Sequence, residues 1–234
     1  YIEAAEGLKR LRGLVHPSTQ EDSNDKRILV THEPIGVVGI ISPWNWPNDI
    51  PNIAASHGLA AGNAVIFKPA STTPFSAIAV AEIYEDAGFP PGSVSVVTGP
   101  GGIVGEELVS NPGTAAISFT GETTTGERLT RIAGIKRLLL ELGGNGPLVV
   151  MDDANLDAAV EATITGCFYL AGQVCTASER ILVHHRVHDE FVDKLVARTR
   201  TLKVGNPLHE DTDMGPLNNP QNAAKVQAHI DDAR

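Results

Sequence analysis

The sequence predicts an α/β protein built on a doubly wound parallel sheet, and three observations carry that expectation. Short β-branched runs alternate with stretches of helical periodicity over residues 37–140, which is the signature of βαβ units. Gly99-Pro100-Gly101-Gly102 and Phe119-Thr120-Gly121 fall at the carboxyl ends of the expected strands, where open parallel sheets bind nucleotides. The composition is that of an ordinary globular chain: 234 residues, 42% hydrophobic and 20% charged, enough for one full domain and part of another.

Taken in order, Tyr1–Arg12 reads as an amphipathic helix with no capping residue before it. From Pro17 the chain is polar, then turns into a strand at Arg27–Thr31. Strands are expected at Val37–Ile41, Ala64–Phe67, Ser93–Val97, Ala115–Phe119 and Arg137–Leu140, with helices at about 48–60, 74–86, 102–110 and 124–133. Right-handed crossovers between such strands give an open sheet with helices on both faces. Gly143-Gly144 suits a hinge, so a first domain spans 1–143 and a second begins at 144. A helix starts within Asp152–Val160, capped by Asn155 or Asp153, with apolar residues on to Leu170. Near the end, Asn222–Ile230 reads as a helix cut off at Arg234. Tyr1 at one end and this helix at the other make the chain look like an internal piece of a longer protein.

Several function classes are disfavoured. A net charge of −10 argues against nucleic acid or an anionic membrane as partner. No run of 18 apolar residues or signal peptide is present, so a soluble, cytoplasmic protein is expected. Cys167 and Cys175 are too few for a disulfide framework, which fits a reducing compartment. The tract His184-His185-Arg186-Val187-His188 follows a strand and lacks cysteines or carboxylates at ligand spacing, so no metal is assigned. Glu106-Glu107 reads as a surface feature of a helix.

Cys175, Glu141 and Asn45 carry the chemistry. Cys175 lies in a glycine-containing loop, Glu141 at a strand end, and Asn45 in the turn Ser42-Pro43-Trp44-Asn45-Trp46-Pro47. A thiol, a carboxylate and an amide are what oxidation of an aldehyde through a thioester requires. Only about 3% of a free cysteine is thiolate at pH 7, so the site must lower that pKa or hand the proton to a base. A carboxylate needs partial burial to become a useful base toward water, whereas an amide donates to an oxyanion without titrating. Alone, each has a bland alternative: a buried packing thiol, a paired structural acid, a helix cap. Cys167, inside the expected helix, keeps the packing role.

Five blocks in order, SPWNWP at 42–47, FKPAS at 67–71, FTGETTTG at 119–126, LELGGN at 140–145 and GQVCTA at 172–177, make the chain resemble the aldehyde dehydrogenase superfamily along nearly its whole length. That resemblance implies the Rossmann-like aldehyde dehydrogenase fold, with 1–143 as the dinucleotide-binding domain and 144–234 as the start of an α/β catalytic domain. It implies oxidation of an aldehyde to a carboxylic acid with NAD or NADP. The catalytic residues would be Cys175 as nucleophile, Glu141 as base toward water and Asn45 as oxyanion donor.

For the cofactor it implies Ile41, Ser42, Pro43, Trp44, Lys68, Ala70, Ser71, Gly101, Gly105, Phe119, Thr120, Gly121, Glu122, Thr125, Leu142 and Gly143. Lys68 would bond the adenosine ribose, although a lysine at a strand end is by itself most often solvated. Ser71 faces the 2′ position without choosing between NAD and NADP. No GxGxxG is present, and Gly121–Gly126 stands in its place at a helix start, where free N–H groups suit a pyrophosphate. Glu122 departs from the small hydroxyl residue of many relatives, and its bland role is a first-turn acid favoured by the helix dipole.

The resemblance further implies a strand arm at 17–34 that joins a homodimer or homotetramer, and a substrate tunnel lined by Trp46, Ile50, Phe168, Val174 and Thr176. Members of that family are roughly twice as long, so this chain by itself is expected to be weakly active or inactive. The competing class is a catalytically silent or cofactor-free thiol esterase on the same scaffold.

Overall fold

Val37–Ile41 does form a strand, and it is the middle of a five-stranded sheet. The computed structural model describes residues 1–23 and 25–234, and the chain divides into two units, Tyr1–Leu142 and Gly143–Arg234. In the first unit, α1 (Ile2–Arg10) precedes a hairpin of β1 (Leu14–Pro17) and β2 (Arg27–Val30). Then come β3 (Val37–Ile41), α2 (Asp49–Ala60), β4 (Ala64–Lys68), α3 (Pro74–Asp86), β5 (Val94–Val96), α4 (Glu106–Ser110), β6 (Ala116–Thr120), α5 (Thr123–Ile132) and β7 (Arg137–Glu141).

The sheet runs β5-β4-β3-β6-β7 and every pairing in it is parallel. From β3 the chain winds outward to β5, then returns to β6 on the other side of β3. This is the 3-2-1-4-5 core of a Rossmann-like sheet, with its topological switch point between β3 and β6. Winding in both directions puts helices on both faces. On one, Ile40, Val65 and Phe67 pack with Ala55 and Leu59 of α2 and Ala77, Val80 and Tyr84 of α3. On the other, Ile41, Ile117 and Phe119 meet Leu108 and Val109 of α4 and Leu129 of α5. Covered on both faces, the inner strands are continuous apolar runs rather than alternating ones.

Four details differ from expectation. The helix foreseen over 102–110 is split: Gly101–Gly105 forms a wide π-type turn and only Glu106–Ser110 is α-helical, because three glycines in five residues supply little to hold a regular helix. Glu106 is not a simple surface acid, since its carboxylate is half-buried and ion-paired with Arg128 of α5. The arm gains the strand β1, which was not foreseen; Asn24, within the arm, lies outside the described residues. The helix-cap alternative for Asn45 fails, as the cap position of α2 is Asn48.

The second unit contains β8 (Gly146–Val150), α6 (Leu156–Phe168), β9 (Ser178–Val183), α7 (His188–Thr199) and α8 (Pro220–Asp232). Asn155 caps α6, its Oδ1 accepting from the Ala158 N–H at 3.1 Å. β8 and β9 pair in parallel, and Val150, Val160, Ile164 and Phe191 form the core between them and the helices. β8 escaped the sequence reading because it opens on Gly146-Pro147, residues poor in strand preference. Among the described residues, no helix is long and apolar enough to cross a membrane, and no group of three or more His, Cys, Asp or Glu could hold a metal ion.

Gly39 marks how closely the central strand is packed. A Cβ there would lie 2.8 Å from both Ile117 Cδ1 and Leu108 Cγ, atoms of buried side chains with little room to yield. Gly39→Ala is expected to destabilise the first unit by about 2 kcal/mol, read from its urea midpoint. A change under about 0.5 kcal/mol would contradict this packing.

Candidate active site

The carboxyl ends of β3, β4, β6 and β7 form one edge of the first unit, and most of the expected cofactor residues stand along it. Ile41 ends β3 buried, and the N–H of Ser42 donates to the Lys68 carbonyl at 3.2 Å, tying the start of the Pro43-Trp44-Asn45 turn to β4. Lys68 ends β4 with 3% of its surface exposed, so the solvated alternative for this residue fails. Its ammonium donates to the Pro69 carbonyl at 2.7 Å, and burial pushes its pKa down from the ordinary value. A side chain at Gly105 would begin 3.6 Å from Lys68 Cδ, so the glycine turn at 101–105 lies against the lysine stem. Ala70 and Ser71 follow, and the Ser71 hydroxyl donates to the Gly99 carbonyl at 3.3 Å, joining the β4 and β5 ends of the edge.

At the β6 end, Phe119 is buried and Thr120 half-buried. Gly121 must be glycine, since a Cβ would sit 2.7 Å from Phe119 Cζ, and its N–H donates to the Glu141 carbonyl at 3.0 Å. Glu122 is the cap residue of α5, one position before the first turn, and makes no capping bond through its carboxylate. The first-turn role is therefore corrected to a cap position. Thr123, Thr124 and Thr125 are exposed at the helix start, where backbone N–H groups lack intrahelical acceptors. Gly126 is required on the inner side, where Leu142 Cδ2 would lie 2.5 Å from its Cβ. Gly143 is exposed at the start of the second unit.

Asn45 is half-buried in its turn and, with Trp46, Asn48, Asp49, Asn52 and Tyr1, lines a cavity of about 290 Å³. Ile50 is half-buried on α2 and is not part of that lining. Glu141 ends β7 exposed. β3 and β7 are separated by β6 alone, so roughly 10 Å of sheet lies between the strands leading to Asn45 and Glu141.

In the second unit, Cys175 is exposed in the turn Val174–Thr176, closed by the Ala177 N–H donating to the Val174 carbonyl at 3.1 Å. Phe168 and Val174 are half-buried beside it in sequence, and Thr176 is exposed. The approach to this turn is strained: Leu170 and Ala171 take φ of 51° and 56°, followed by Gly172 at 74°. Left-handed backbone costs about 1–2 kcal/mol at a residue with a side chain.

What holds it is Gln173, whose Oε1 accepts from the Asn218 N–H at 3.0 Å and from Asn222 Nδ2 at 3.4 Å, while its Nε2 donates to the Leu170 carbonyl at 2.9 Å. Sequence reasoning missed this brace because its partners are 45 and 49 residues away. Cys167 differs in every respect. It is half-buried in α6, its Sγ donates to the Ser178 carbonyl at 3.0 Å, and burial pushes its thiol pKa up.

Comparison with protein families matches residues 2–234 to the Aldehyde dehydrogenase family. The chain belongs to that family. It is 46% identical over 230 residues to a glutarate-semialdehyde dehydrogenase of Pseudomonas aeruginosa, covering 97% of this chain and 47% of that protein. It is 45% identical over 231 residues to the NADP(+) succinate-semialdehyde dehydrogenase GabD of Escherichia coli, covering 98% and 47%. Among solved structures, an E. coli NADP-dependent enzyme superposes with a TM-score of 0.93 at 44% identity, covering 98% of this chain and 48% of that one. The chain thus spans about half the length of the curated relatives it matches.

Lys68 generates a test that needs no substrate. Its folded-state pKa lies below the ordinary 10.5, so the penalty for burying the ammonium is complete below the folded pKa and fades as pH climbs through it toward 10.5. Lys68→Met is expected to be more stable than the parent at pH 7 by about 1 kcal/mol, with the gap narrowing as the solution becomes alkaline. Equal midpoints at pH 7, or a gap that widens with pH, would contradict a lysine held at a cost.

Proposed function

We propose that this chain carries the nucleophile, the base, the oxyanion donor and the nucleotide-binding edge of an NAD(P)-dependent aldehyde dehydrogenase. The observation that carries the proposal is the contrast between the two thiols. Cys167 is half-buried with its thiol donating to the Ser178 carbonyl, while Cys175 is exposed just after a strained segment that the half-buried Gln173 amide braces. Backbone strain held in place by surrounding structure is characteristic of functional positions.

Residues 1–143 act as the dinucleotide-binding domain and 144–234 as the first part of the catalytic domain. The residues of the carboxyl edge fit a dinucleotide. The Lys68 ammonium, buried with a single carbonyl acceptor, has further donors for ribose hydroxyls, and the open N–H groups at the start of α5 suit a pyrophosphate. Ile41, Ser42, Pro43, Trp44, Ala70, Ser71, Gly101, Gly105, Phe119, Thr120, Gly121, Glu122, Thr125, Leu142 and Gly143 complete that site. Ser71 carries no charge to repel a 2′-phosphate and does not choose between the two, so the cofactor is NAD or NADP. When bound, the nicotinamide supplies the hydride acceptor.

Cys175 attacks the aldehyde carbonyl as its thiolate, and the Asn45 amide donates to the oxygen as negative charge develops. Loss of hydride leaves a thioester on the sulfur. Glu141 then takes a proton from water, whose oxygen attacks the thioester carbonyl and releases the carboxylic acid. The substrates are aliphatic or aromatic aldehydes, with semialdehydes first to be tried because the relatives are named for them. The arm at 17–34 takes part in a homodimer or homotetramer, a role supported by Leu14, Val15, Ile28 and Leu29, all exposed by half or more on the β1–β2 hairpin.

The test is nicotinamide reduction by the full-length protein, followed by near-ultraviolet absorbance, with succinate and glutarate semialdehydes. Cys175→Ala is expected to abolish acylation and turnover, while Cys167→Ala retains both. Glu141→Gln should form the thioester in a burst and then turn over at least about 100-fold more slowly. Parent-like turnover of Glu141→Gln would remove Glu141 as the base. Ester hydrolysis with no reduced nucleotide from any aldehyde would favour a cofactor-free thiol esterase. The 234-residue chain alone is expected to be weakly active or inactive in the same assay.

A further inference from the structure

The turn at 42–48 between β3 and α2 carries Asn45 and has no regular structure of its own. Its near end is tied to the sheet through Ser42 and Lys68. Its far end is tied by Asn52, which lines the Asn45 cavity without belonging to the catalytic or cofactor-binding residues. Asn52, one turn into α2, is 6% exposed, and its Nδ2 donates to the Asn48 backbone carbonyl at 2.6 Å and to Asn48 Oδ1 at 2.9 Å. A backbone carbonyl can only accept, which fixes the end of the Asn52 amide that faces it. Asn48 holds the cap position of α2 without capping it through its side chain; that side chain is engaged by Asn52 instead.

Asn52 shares the buried face of α2 with Pro51, Ala55, Ser56 and Leu59. A primary amide buried there is unfavourable unless its polar atoms are matched. Its Oδ1 has no hydrogen-bond partner, so the two donations to Asn48 are what the amide provides. Asn45 and Asn52 also line one cavity.

We infer that Asn52 is a positioning residue for Asn45: by clamping Asn48 it fixes the far end of the turn and holds the Asn45 amide where the oxyanion develops. This rests on the oxyanion role proposed for Asn45. In the full-length protein, Asn52→Ala and the isosteric Asn52→Asp both remove the donations, and Asn52→Asp keeps the volume. Each is expected to lower kcat and kcat/KM for the aldehyde together by about 10- to 100-fold, with the KM for the nicotinamide nucleotide unchanged. Alkylation of Cys175 by iodoacetamide at the parent rate identifies a folded site.

The deciding measurement is the double variant. If Asn52 acts through Asn45, adding Asn52→Ala to Asn45→Ala costs no more than about twofold further. A full additive loss, a single-variant kcat within about twofold of the parent, or failure of both Asn52 variants to fold would overturn the inference. Should Asn45→Ala itself leave kcat intact, the oxyanion role fails and the inference with it, an outcome distinguishable from a silent Asn52.

Discussion

The parallel direction of β3, β4, β6 and β7 is the constraint on which the first unit depends. Parallel strands cannot be joined by tight turns, so each must be followed by a crossover, and every crossover leaves from the same edge. That edge therefore collects the residues that follow each strand: Ser42 and Asn45 after β3, Lys68 at the end of β4, Gly121 after β6 and Glu141 at the end of β7. No local preference of these residues brings them together. Their common address is set by the apolar runs that make the strands and by the helices that cover both faces.

The edge is also where the unit departs from what stability alone would select. A buried ammonium, a glycine-rich turn in place of a regular helix, and a buried asparagine on the inner face of a helix all carry a cost that a structural protein avoids. The second unit repeats the pattern on a smaller scale, with Leu170 and Ala171 held in left-handed backbone just before the exposed thiol. Three of these features have a specific partner: Pro69 for Lys68, Asn48 for Asn52, and, beside the left-handed segment, Asn218 with Asn222 for Gln173.

Much of this was legible in the sequence, for identifiable reasons. The five strands of the main sheet were found to within one residue at each end because their runs are apolar and bounded by glycine, proline or polar turns. Asn155 was recognisable as a cap, and Cys167 could be told from Cys175 by its place inside a helical pattern. The motif residues of the candidate site were visible because each block is contiguous. What escaped was whatever depends on distant partners or on weak local preference. Lys68 is buried with the glycine turn at 101–105 against its stem, Glu106 is ion-paired to a helix 22 residues away (128 − 106), and β8 begins on Gly-Pro. Asn48 and Asn52 look like ordinary polar helix residues until their amides are seen to meet.

The central claim is that the carboxyl edge binds a dinucleotide with the buried Lys68 ammonium as its anchor. Titration of the full-length protein with NAD and with NADP, followed calorimetrically for the parent and for Lys68→Met, tests it most directly. Saturable binding by the parent, weakened about tenfold or more in the variant, is the expected result, since a hydrogen bond from a charged donor is worth about 1.5–3 kcal/mol. Equal affinity in a variant that remains folded, or no binding of either nucleotide by the parent, would contradict it.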